Sequence, residues 1–174
     1  MRWDEIDNLP CSIARSLSVV GDRWTLLVLR ESFLGVRRFE EFQQRLGMAR
    51  HRLSDRLNRL VEHEVLRKVP YQDKPPRHEY RLTEKGLDLY PVILGLVRWG
   101  DRWMDQGRGP PVVYRHQTCG QMTRPGQNCS HCGAELKARE VTPMAGPGLD
   151  RHPALKQTLA RAPGRAGGAK KAAS

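Results

Sequence analysis

Long apolar runs are missing from this 174-residue sequence. No stretch approaches the roughly 20 consecutive apolar residues that a membrane-spanning helix needs, and the opening segment MRWDEIDNLP lacks the apolar core of a secretory signal. Cysteine is also scarce, with four residues. Without an export signal, cysteines serve metals or redox chemistry more often than structural disulfides. We therefore expect a cytoplasmic protein without a membrane partner.

Catalytic signatures are missing as well. The sequence contains no phosphate-binding loop, no nucleophile elbow and no paired-histidine metalloprotease motif, so an enzyme is a disfavoured class. Hydrophobic residues make up only 39% and the mean hydropathy is −0.63. Part of the chain is therefore not expected to pack into a core.

Positive charge is what the sequence has in excess. The formal net charge is +11 and the isoelectric point is near 10.1. Residues 150–174 hold six Lys or Arg and one Asp, so the rest of the chain keeps a net charge of +6. A basic body favours an anionic partner such as nucleic acid.

Two short helices joined by a glycine turn are predicted in the middle of the chain. The segment RRFEEFQQRLGMA spaces its apolar residues as a helix does and ends at Gly47. In GMARHRLSDRLNRLVEHEVL, an apolar stripe of Leu53, Leu57 and Leu60 follows a basic start. This order is the signature of a helix-turn-helix.

A basic hairpin follows these two helices. LRKVPY and HEYRL have the composition of strands, and the prolines of the intervening QDKPPR suit a stiff hairpin tip. The combination predicts a winged helix-turn-helix, a mainly α (α+β) fold. In such a fold the second helix enters the major groove of DNA, while Lys74 and Arg77 at the tip reach an adjacent minor groove.

A long helix is predicted after the hairpin. Thr83 is a suitable N-cap for EKGLDLYPVILGLVRWGDRWM, and Pro91 should kink this helix. Its apolar residues form two stripes, so the helix is expected to pack on two sides, against its own core and against a second subunit. We therefore predict a homodimer through the region Leu87–Trp103.

Composition divides the chain into three parts. Residues 1–106 form the predicted DNA-binding and dimerisation domain. GRGPP then acts as a linker into a small Cys/His-containing extension at residues 107–149. Residues 150–174 are rich in Gly, Ala, Pro and basic residues and hold too few apolar side chains to fold, which predicts a disordered basic tail.

The extension carries candidate metal ligands. His116-x-x-Cys119 and Cys129-x-x-Cys132 form two pairs, each followed by glycine. A two-residue gap lets both ligands of one turn reach a tetrahedral Zn²⁺, and the glycines leave room around the thiolates. A structural zinc ion would also stabilise a segment with so few apolar residues. Three alternatives stay open: His131 in place of His116, a redox pair at Cys129 and Cys132, or a metal-free extension packed on the dimer.

The sequence from Cys11 to Trp103 resembles the HxlR-type transcriptional regulators, a branch of the MarR-like winged-helix proteins. The resemblance rests on CSIARSLSVVGDRWTLLVLRESFLGVRRFEEFQQRLGMARHRLSDRLNRLVEHEVL and PPRHEYRLTEKG. It implies a homodimer that binds a palindromic operator near bacterial promoters, as repressor or activator. Two positions depart from the family pattern and bear on the operator sequence. Ala49 stands where Ser or Thr tends to begin the recognition helix, and His51 stands where Lys is frequent.

The candidate DNA contacts lie at the start of this second helix. We assign base-edge contacts to Arg50, His51 and Arg52, because arginine suits guanine, and a phosphate contact to Ser54. The alternative is a solvated charged surface. By the same resemblance, Cys11 stands where some relatives sense electrophiles or oxidants, and a helix N-terminus there would favour the reactive thiolate. Its alternative is a small buried hydrophobic residue.

A second class of function remains open. The winged helix could serve as the scaffold of a protein-interaction adaptor, with the Cys/His extension as a zinc-binding docking module. Salt dependence separates the two classes, since only a protein that neutralises DNA phosphates releases counterions on binding.

Overall fold

The computed structural model describes residues 11–147. They cluster into two compact units, one up to Ile93 and one from Leu94. The predicted tail at residues 150–174 lies outside the described residues, and the predicted boundary between residues 106 and 107 stays a prediction. Within residues 11–147, every helix is too short or too polar to cross a membrane.

The first unit is a winged helix-turn-helix, as predicted. Helix α2 packs against α1, α3, α4 and strand β2. The elements are α1 (Ser12–Val20), α2 (Arg23–Phe33), α3 (Phe39–Leu46), α4 (Arg50–Glu62), β1 (Leu66–Gln72), β2 (Arg77–Leu82) and α5 (Glu84–Leu87).

The core of this unit lies beneath α4. Leu53, Leu57 and Leu60 are fully buried, together with Val28 and Leu29 of α2. Full burial of each such side chain stabilises the fold by about 1.5–3 kcal/mol. The predicted apolar stripe is therefore confirmed, and it fixes which side of α4 is left for solvent or a partner.

Polar groups at the helix ends hold α4 in place. Asp22 caps α2 by accepting from the amides of Trp24 and Thr25, and its carboxylate also pairs with Arg56 of α4 at 3.2 Å. The turn between α3 and α4 begins at Gly47, which has the left-handed φ of 61° that ends many helices.

The hairpin is antiparallel and continues the sheet toward α3. Its register runs from the pair Leu66–Leu82 to the pair Gln72–Arg77, with a bulge between Pro70 and Gln72. On its other side β2 bridges to Arg38, just before α3. Within the described part of the chain, β1 is thus the outer strand, where Pro70 is tolerated.

The long helix is interrupted rather than kinked. Thr83 caps α5 as predicted, its Oγ1 accepting from the amide of Gly86 at 3.1 Å. The chain then leaves helical structure and re-enters it in α6 (Tyr90–Trp103). The predicted kink at Pro91 is wrong. Proline lacks the amide hydrogen that a helix interior needs but is tolerated in the first turn, and Pro91 lies in the first turn of α6.

The second unit contains a three-stranded antiparallel sheet. Its strands are β3 (Val112–His116), β4 (Met122–Thr123) and β5 (Val141–Ala145), with β3 in the centre. A single turn of 3₁₀ helix at Ala138–Glu140 precedes β5. The buried apolar side chains are few, so this unit needs another source of stability. Among the described residues of this unit, the buried apolar side chains are Leu94, Val112, Tyr114, Cys129, Leu136 and Val141.

Candidate nucleic-acid interface and metal centre

The start of α4 presents the predicted contact residues together. Arg50, His51 and Arg52 are exposed and Ser54 is half-buried. The N-cap residue is Ala49, whose methyl side chain cannot accept a hydrogen bond, so the first amides of α4 have no side-chain cap. Polar and cationic groups therefore cover this end of the helix while its other face is buried.

An open depression of about 590 Å³ lies beside these residues. It is lined by Phe39, Arg50, His51, Ser54 and Tyr80. The Arg50 guanidinium lies over the Phe39 ring, 4.7 Å from its centroid. Burial, with the nearby charge of Glu40, raises the pKa of Tyr80. The Tyr80 hydroxyl therefore stays protonated at neutral pH and can donate a hydrogen bond.

The hairpin tip carries the other predicted contacts. Lys74 and Arg77 are both exposed there. The base of the hairpin is held by a backbone hydrogen bond in which Tyr80 donates to the carbonyl of Arg37 at 2.8 Å. The tip can thus project its charges from a fixed base.

A cluster of charged and aromatic side chains holds the hairpin on one face, the face opposite to that of Lys68 in β1. We call Arg38, Tyr71, Glu79 and Arg81 the wing anchor. Arg38 lies over the Tyr71 ring at 4.6 Å and 3.7 Å from the Glu79 carboxylate. Arg38 is nearest Oε1 of Glu79, and two N–H groups of Arg81 donate to Oε2 at 2.8 and 3.1 Å. The Arg81 hydrogen bond lowers the pKa of Glu79, with Arg37 and Arg38 adding to the effect.

Two further arginines of α4 serve the scaffold. Arg56 pairs with Asp22, and Arg59 donates to the carbonyl oxygen of Ser18 in α1. Both guanidinium groups therefore tie α4 to the helices behind it.

Lys68 is a cation beside α4 that the sequence pattern did not single out. It lies on β1, and its Nζ donates to Oδ1 of Asn58 on α4 at 3.0 Å. The signal was present in the alternation of the strand, since Lys68 stands two residues after Leu66, which packs inward.

The metal-ligand candidates converge at one end of the sheet in the second unit. The ligand atoms of His116, Cys119, Cys129 and Cys132 all lie within 4.8 Å of one another. His116 ends β3 and is fully buried. The alternative ligand His131 is exposed and is not part of the group.

Two turns of the same construction present these ligands. In the first, the amide of His116 donates to Gln121 and the amide of Gly120 donates back to His116, at 2.9 and 2.8 Å. In the second, Cys129 donates to Ala134 and Gly133 donates back to Cys129, at 2.8 and 2.9 Å. The repeated pattern places two ligands of each turn on one side, as in known zinc-binding turns.

The glycines of the two turns have a backbone conformation that favours glycine. Gly120 and Gly133 have φ of 72° and 75°. Apart from the residues on either side of it in the chain, a Cβ added at either glycine would meet no described atom within 4 Å. Their left-handed conformation is one reason for glycine at these positions, and the expectation that they leave room around the thiolates stays a prediction.

The distances between ligand atoms fit a tetrahedral ion. Zn²⁺ binds sulfur at about 2.3 Å and nitrogen at about 2.0–2.1 Å, which separates two sulfurs by about 3.8 Å and sulfur from nitrogen by about 3.5 Å. The sulfurs of Cys119 and Cys129 are 3.8 Å apart. His116 Nδ1 lies 3.4 Å from the sulfur of Cys119 and 3.5 Å from that of Cys132. The residues present therefore form a His/Cys₃ group that could bind a metal.

The thiols of this group have divergent pKa values. The backbone amide of Cys132, followed by that of His131, lowers the pKa of the Cys129 thiol to about 6. At Cys119 a hydrogen bond from the Gln121 backbone lowers the pKa, but desolvation and the neighbouring sulfurs outweigh it and the pKa is raised. Such crowding of sulfurs favours a cation among them.

Cys11 lies apart from the His/Cys₃ group in the sequence and begins α1 as its N-cap residue. It is exposed. The alternative of a small buried hydrophobic residue is therefore wrong.

Comparison with known proteins gives consistent relatives. The HxlR-like helix-turn-helix family matches residues 19–108. An uncharacterized HTH-type transcriptional regulator of Mycobacterium tuberculosis is 52% identical over 138 residues, or 79% of this chain and 87% of the relative. Another from Synechocystis is 34% identical over 97 residues, or 55% of this chain and 72% of the relative.

Solved structures agree with the sequence relatives. The crystal structure of PA1607, a proposed transcription factor, matches with a TM-score of 0.63 and 36% identity, covering 77% of this chain and 94% of that one. The oxidized form of the redox regulator HypR matches with a TM-score of 0.50 and 29% identity, covering 53% and 96%. The relatives that carry a function in their names are regulators rather than enzymes.

Proposed function

As a member of the HxlR-like helix-turn-helix family, this chain is a DNA-binding transcriptional regulator, and we propose that it acts as a homodimer on a palindromic operator in the bacterial cytoplasm. Helix α4 enters the major groove and the hairpin tip reaches the adjacent minor groove. Arg50, His51 and Arg52 contact base edges, and Ser54 contacts a phosphate.

One observation carries this proposal. Arg50, His51 and Arg52 are exposed at the start of α4, while the helix is fixed from behind by buried leucines. The cations Lys74 and Arg77 are exposed on the hairpin, the second element that we propose to contact DNA. Exposed positive charge on two rigid elements is what phosphate binding and base contacts require.

A gel shift with the DNA upstream of the chain's own gene tests the proposal. Arg52→Ala is expected to cost about 1–3 kcal/mol at one base pair and to relax specificity there. Arg77→Ala should weaken binding to all sequences alike and lower the salt slope by about one unit. An adaptor would show no salt-dependent DNA binding, which would contradict the proposal.

We propose that the homodimer forms through α6. Val92, Leu96, Trp99 and Trp103 fall on one face of this helix and are 50%, 50%, 60% and 63% exposed. A row of four large, exposed apolar side chains marks an interaction surface. In a symmetric dimer this row would pack against the same row of the second subunit. The two α4 helices of such a dimer would then meet two operator half-sites.

Light scattering tests the dimer. Trp99→Glu should yield monomers, because it places a carboxylate in the stripe. Arg98→Glu, on the same helix but off the stripe, serves as the control and should stay dimeric. A wild-type monomer, or a dimeric Trp99→Glu protein, would contradict this interface.

We propose that the His/Cys₃ group holds a structural zinc ion, with His116, Cys119, Cys129 and Cys132 as ligands. The match of the sulfur and nitrogen distances to tetrahedral coordination supports it, as does the small core of the second unit. Elemental analysis should find one zinc per chain, lost in Cys129→Ser and kept in Cys11→Ser. Metal-free protein of normal stability would contradict it.

We propose that Cys11 receives a thiol-reactive signal. Its exposure at the beginning of α1 supports this role, and the similar protein HypR is a redox regulator. Diamide should release DNA from the wild type but not from Cys11→Ser. Equal release would overturn the role, and measuring zinc release in parallel shows whether the cluster thiols react instead.

A further inference from the structure

The junction between α4 and the hairpin holds a cation that none of the proposals above uses. Residues paired across an antiparallel hairpin share one face of it. The pairs Leu66–Leu82 and Lys68–Tyr80 lie on the same face, and Leu66 is 1% exposed on that side. Lys68 therefore extends toward the body of the unit, where α4 lies, although its own side chain remains exposed.

A chain of polar contacts fixes the Lys68 ammonium. Its Nζ donates to Asn58 Oδ1 at 3.0 Å, and Asn58 Nδ2 lies 3.5 Å from Ser54 Oγ. The ammonium is also 5.9 Å from the centroid of the Tyr80 ring. The cation thus stands between the outer edge of α4 and the hairpin.

Among the described residues, Lys68 has no carboxylate within ion-pair distance, whereas Arg38, Arg56 and Arg81 each have one. Arg38 and Arg81 share the carboxylate of Glu79, and Arg56 pairs with Asp22. Across residues 11–147, no ion pair within 4.0 Å involves Lys68. Asn58 is neutral, so it orients the ammonium without neutralising it and leaves two of its three N–H donors for a ligand.

The position between two DNA-binding elements indicates the ligand. The major and minor grooves of a duplex are separated by a sugar–phosphate backbone. A protein that places α4 in one groove and the hairpin in the next must have that backbone between the two elements. Lys68 lies at this junction, and a compact ammonium is a good phosphate ligand.

We propose that Lys68 binds a phosphodiester of the backbone strand that passes between α4 and the hairpin, and that Asn58 is the positioning residue for its ammonium. This inference rests on the proposed DNA binding by α4 and the hairpin. The contact strengthens binding to every DNA sequence alike and fixes the register of the protein on the duplex.

A salt titration of binding tests the contact at Lys68. Lys68→Met should weaken binding to operator and unrelated DNA by the same factor and lower the salt slope by about 0.9. Lys85→Met removes the same charge from an exposed side chain of α5 and should leave the slope unchanged. Thermal unfolding of both variants near the wild-type temperature excludes a folding defect.

Two changes at Asn58 test the positioning role. Asn58→Ala keeps the charge of Lys68 but removes the hydrogen bond that orients its ammonium. Affinity should therefore fall while the salt slope stays near the wild-type value. Asn58→Asp places a carboxylate on the ammonium, so it should reproduce the slope of Lys68→Met. The double variant Asn58→Ala, Lys68→Met should lose little more than Lys68→Met alone, because Asn58 acts only through the ammonium.

The outcomes separate this inference from the function on which it rests. A wild-type protein without salt-dependent DNA binding overturns both. If the wild type binds and Arg77→Ala lowers the slope but Lys68→Met does not, only the role of Lys68 is overturned. Loss of discrimination at one base pair in Lys68→Met would also overturn it, because the residue would then contact a base rather than a phosphate.

Discussion

The residue in the turn before α4 and the residue just after the end of α4 both have a left-handed backbone conformation. Substitutions at these two positions should therefore change the free energy of unfolding in opposite directions. Gly47 before the helix has φ of 61° and Glu64 after it has φ of 58°. A residue with a Cβ loses about 1–2 kcal/mol in this conformation. At Gly47 an added Cβ would meet nothing within 4 Å among the residues described, so Gly47→Ala carries the backbone cost alone.

The magnitudes follow from this difference. Gly47→Ala should lower the free energy of unfolding by about 1 kcal/mol, because restriction of the unfolded chain by alanine offsets part of the strain. Glu64→Gly should raise it by about 1 kcal/mol, since glycine adopts the observed φ without strain. The double variant should return near the wild-type value.

Urea unfolding followed by far-ultraviolet circular dichroism measures these free energies. Glu64→Ala is the control, because it removes the carboxylate but keeps a Cβ, and it should resemble the wild type. A Glu64→Gly protein no more stable than Glu64→Ala would refute the strained backbone at this end of α4.

Three further predictions concern other close contacts and charges. Gly86→Ala should lower the free energy of unfolding by about 1–3 kcal/mol or more, because the new Cβ would lie 2.2 Å from the Val65 carbonyl oxygen. Urea unfolding checks this, with Gly95→Ala as the control, since a Cβ there has open space around it. Glu79→Gln should be less stable than the wild type at neutral pH. The pKa of Glu79 is lowered from 4.5, so its charged carboxylate stabilises the protein above that pH and ceases to do so as the pH falls through the folded-state pKa. The difference in free energy of unfolding between wild type and Glu79→Gln should therefore shrink in acid. A difference that stays constant contradicts the prediction. Gly133→Ala should weaken zinc binding in a chelator competition because of its positive φ, whereas Gly126→Ala, without that constraint, should not.

The winged helix was predictable because its signals are local. The leucine stripe of α4, the alternation of the hairpin and the cap at Thr83 each depend on residues close in sequence. The His/Cys₃ group was predictable for the same reason, since two short turns carry all four ligands. Only the choice of His116 over His131 needed the fold, which places His116 at the end of a buried strand.

Features set by contacts between distant segments escaped prediction. Lys68 reads as an ordinary strand cation until β1 lies against α4 and brings it to Asn58. Arg59 lies on the same helix as the base-contacting candidates but is held by the Ser18 carbonyl in α1. At Pro91, the apolar periodicity continued through the break, and the missing amide hydrogen decided the outcome.

Hydroxyl-radical footprinting on the DNA upstream of this protein's own gene tests most directly whether α4 and the hairpin contact one duplex together. The wild type should protect two symmetric half-sites separated by about one helical turn, or a multiple of it, with flanking minor-groove protection that Arg77→Ala removes. A single asymmetric protected region, or flanks unchanged in Arg77→Ala, would contradict the arrangement.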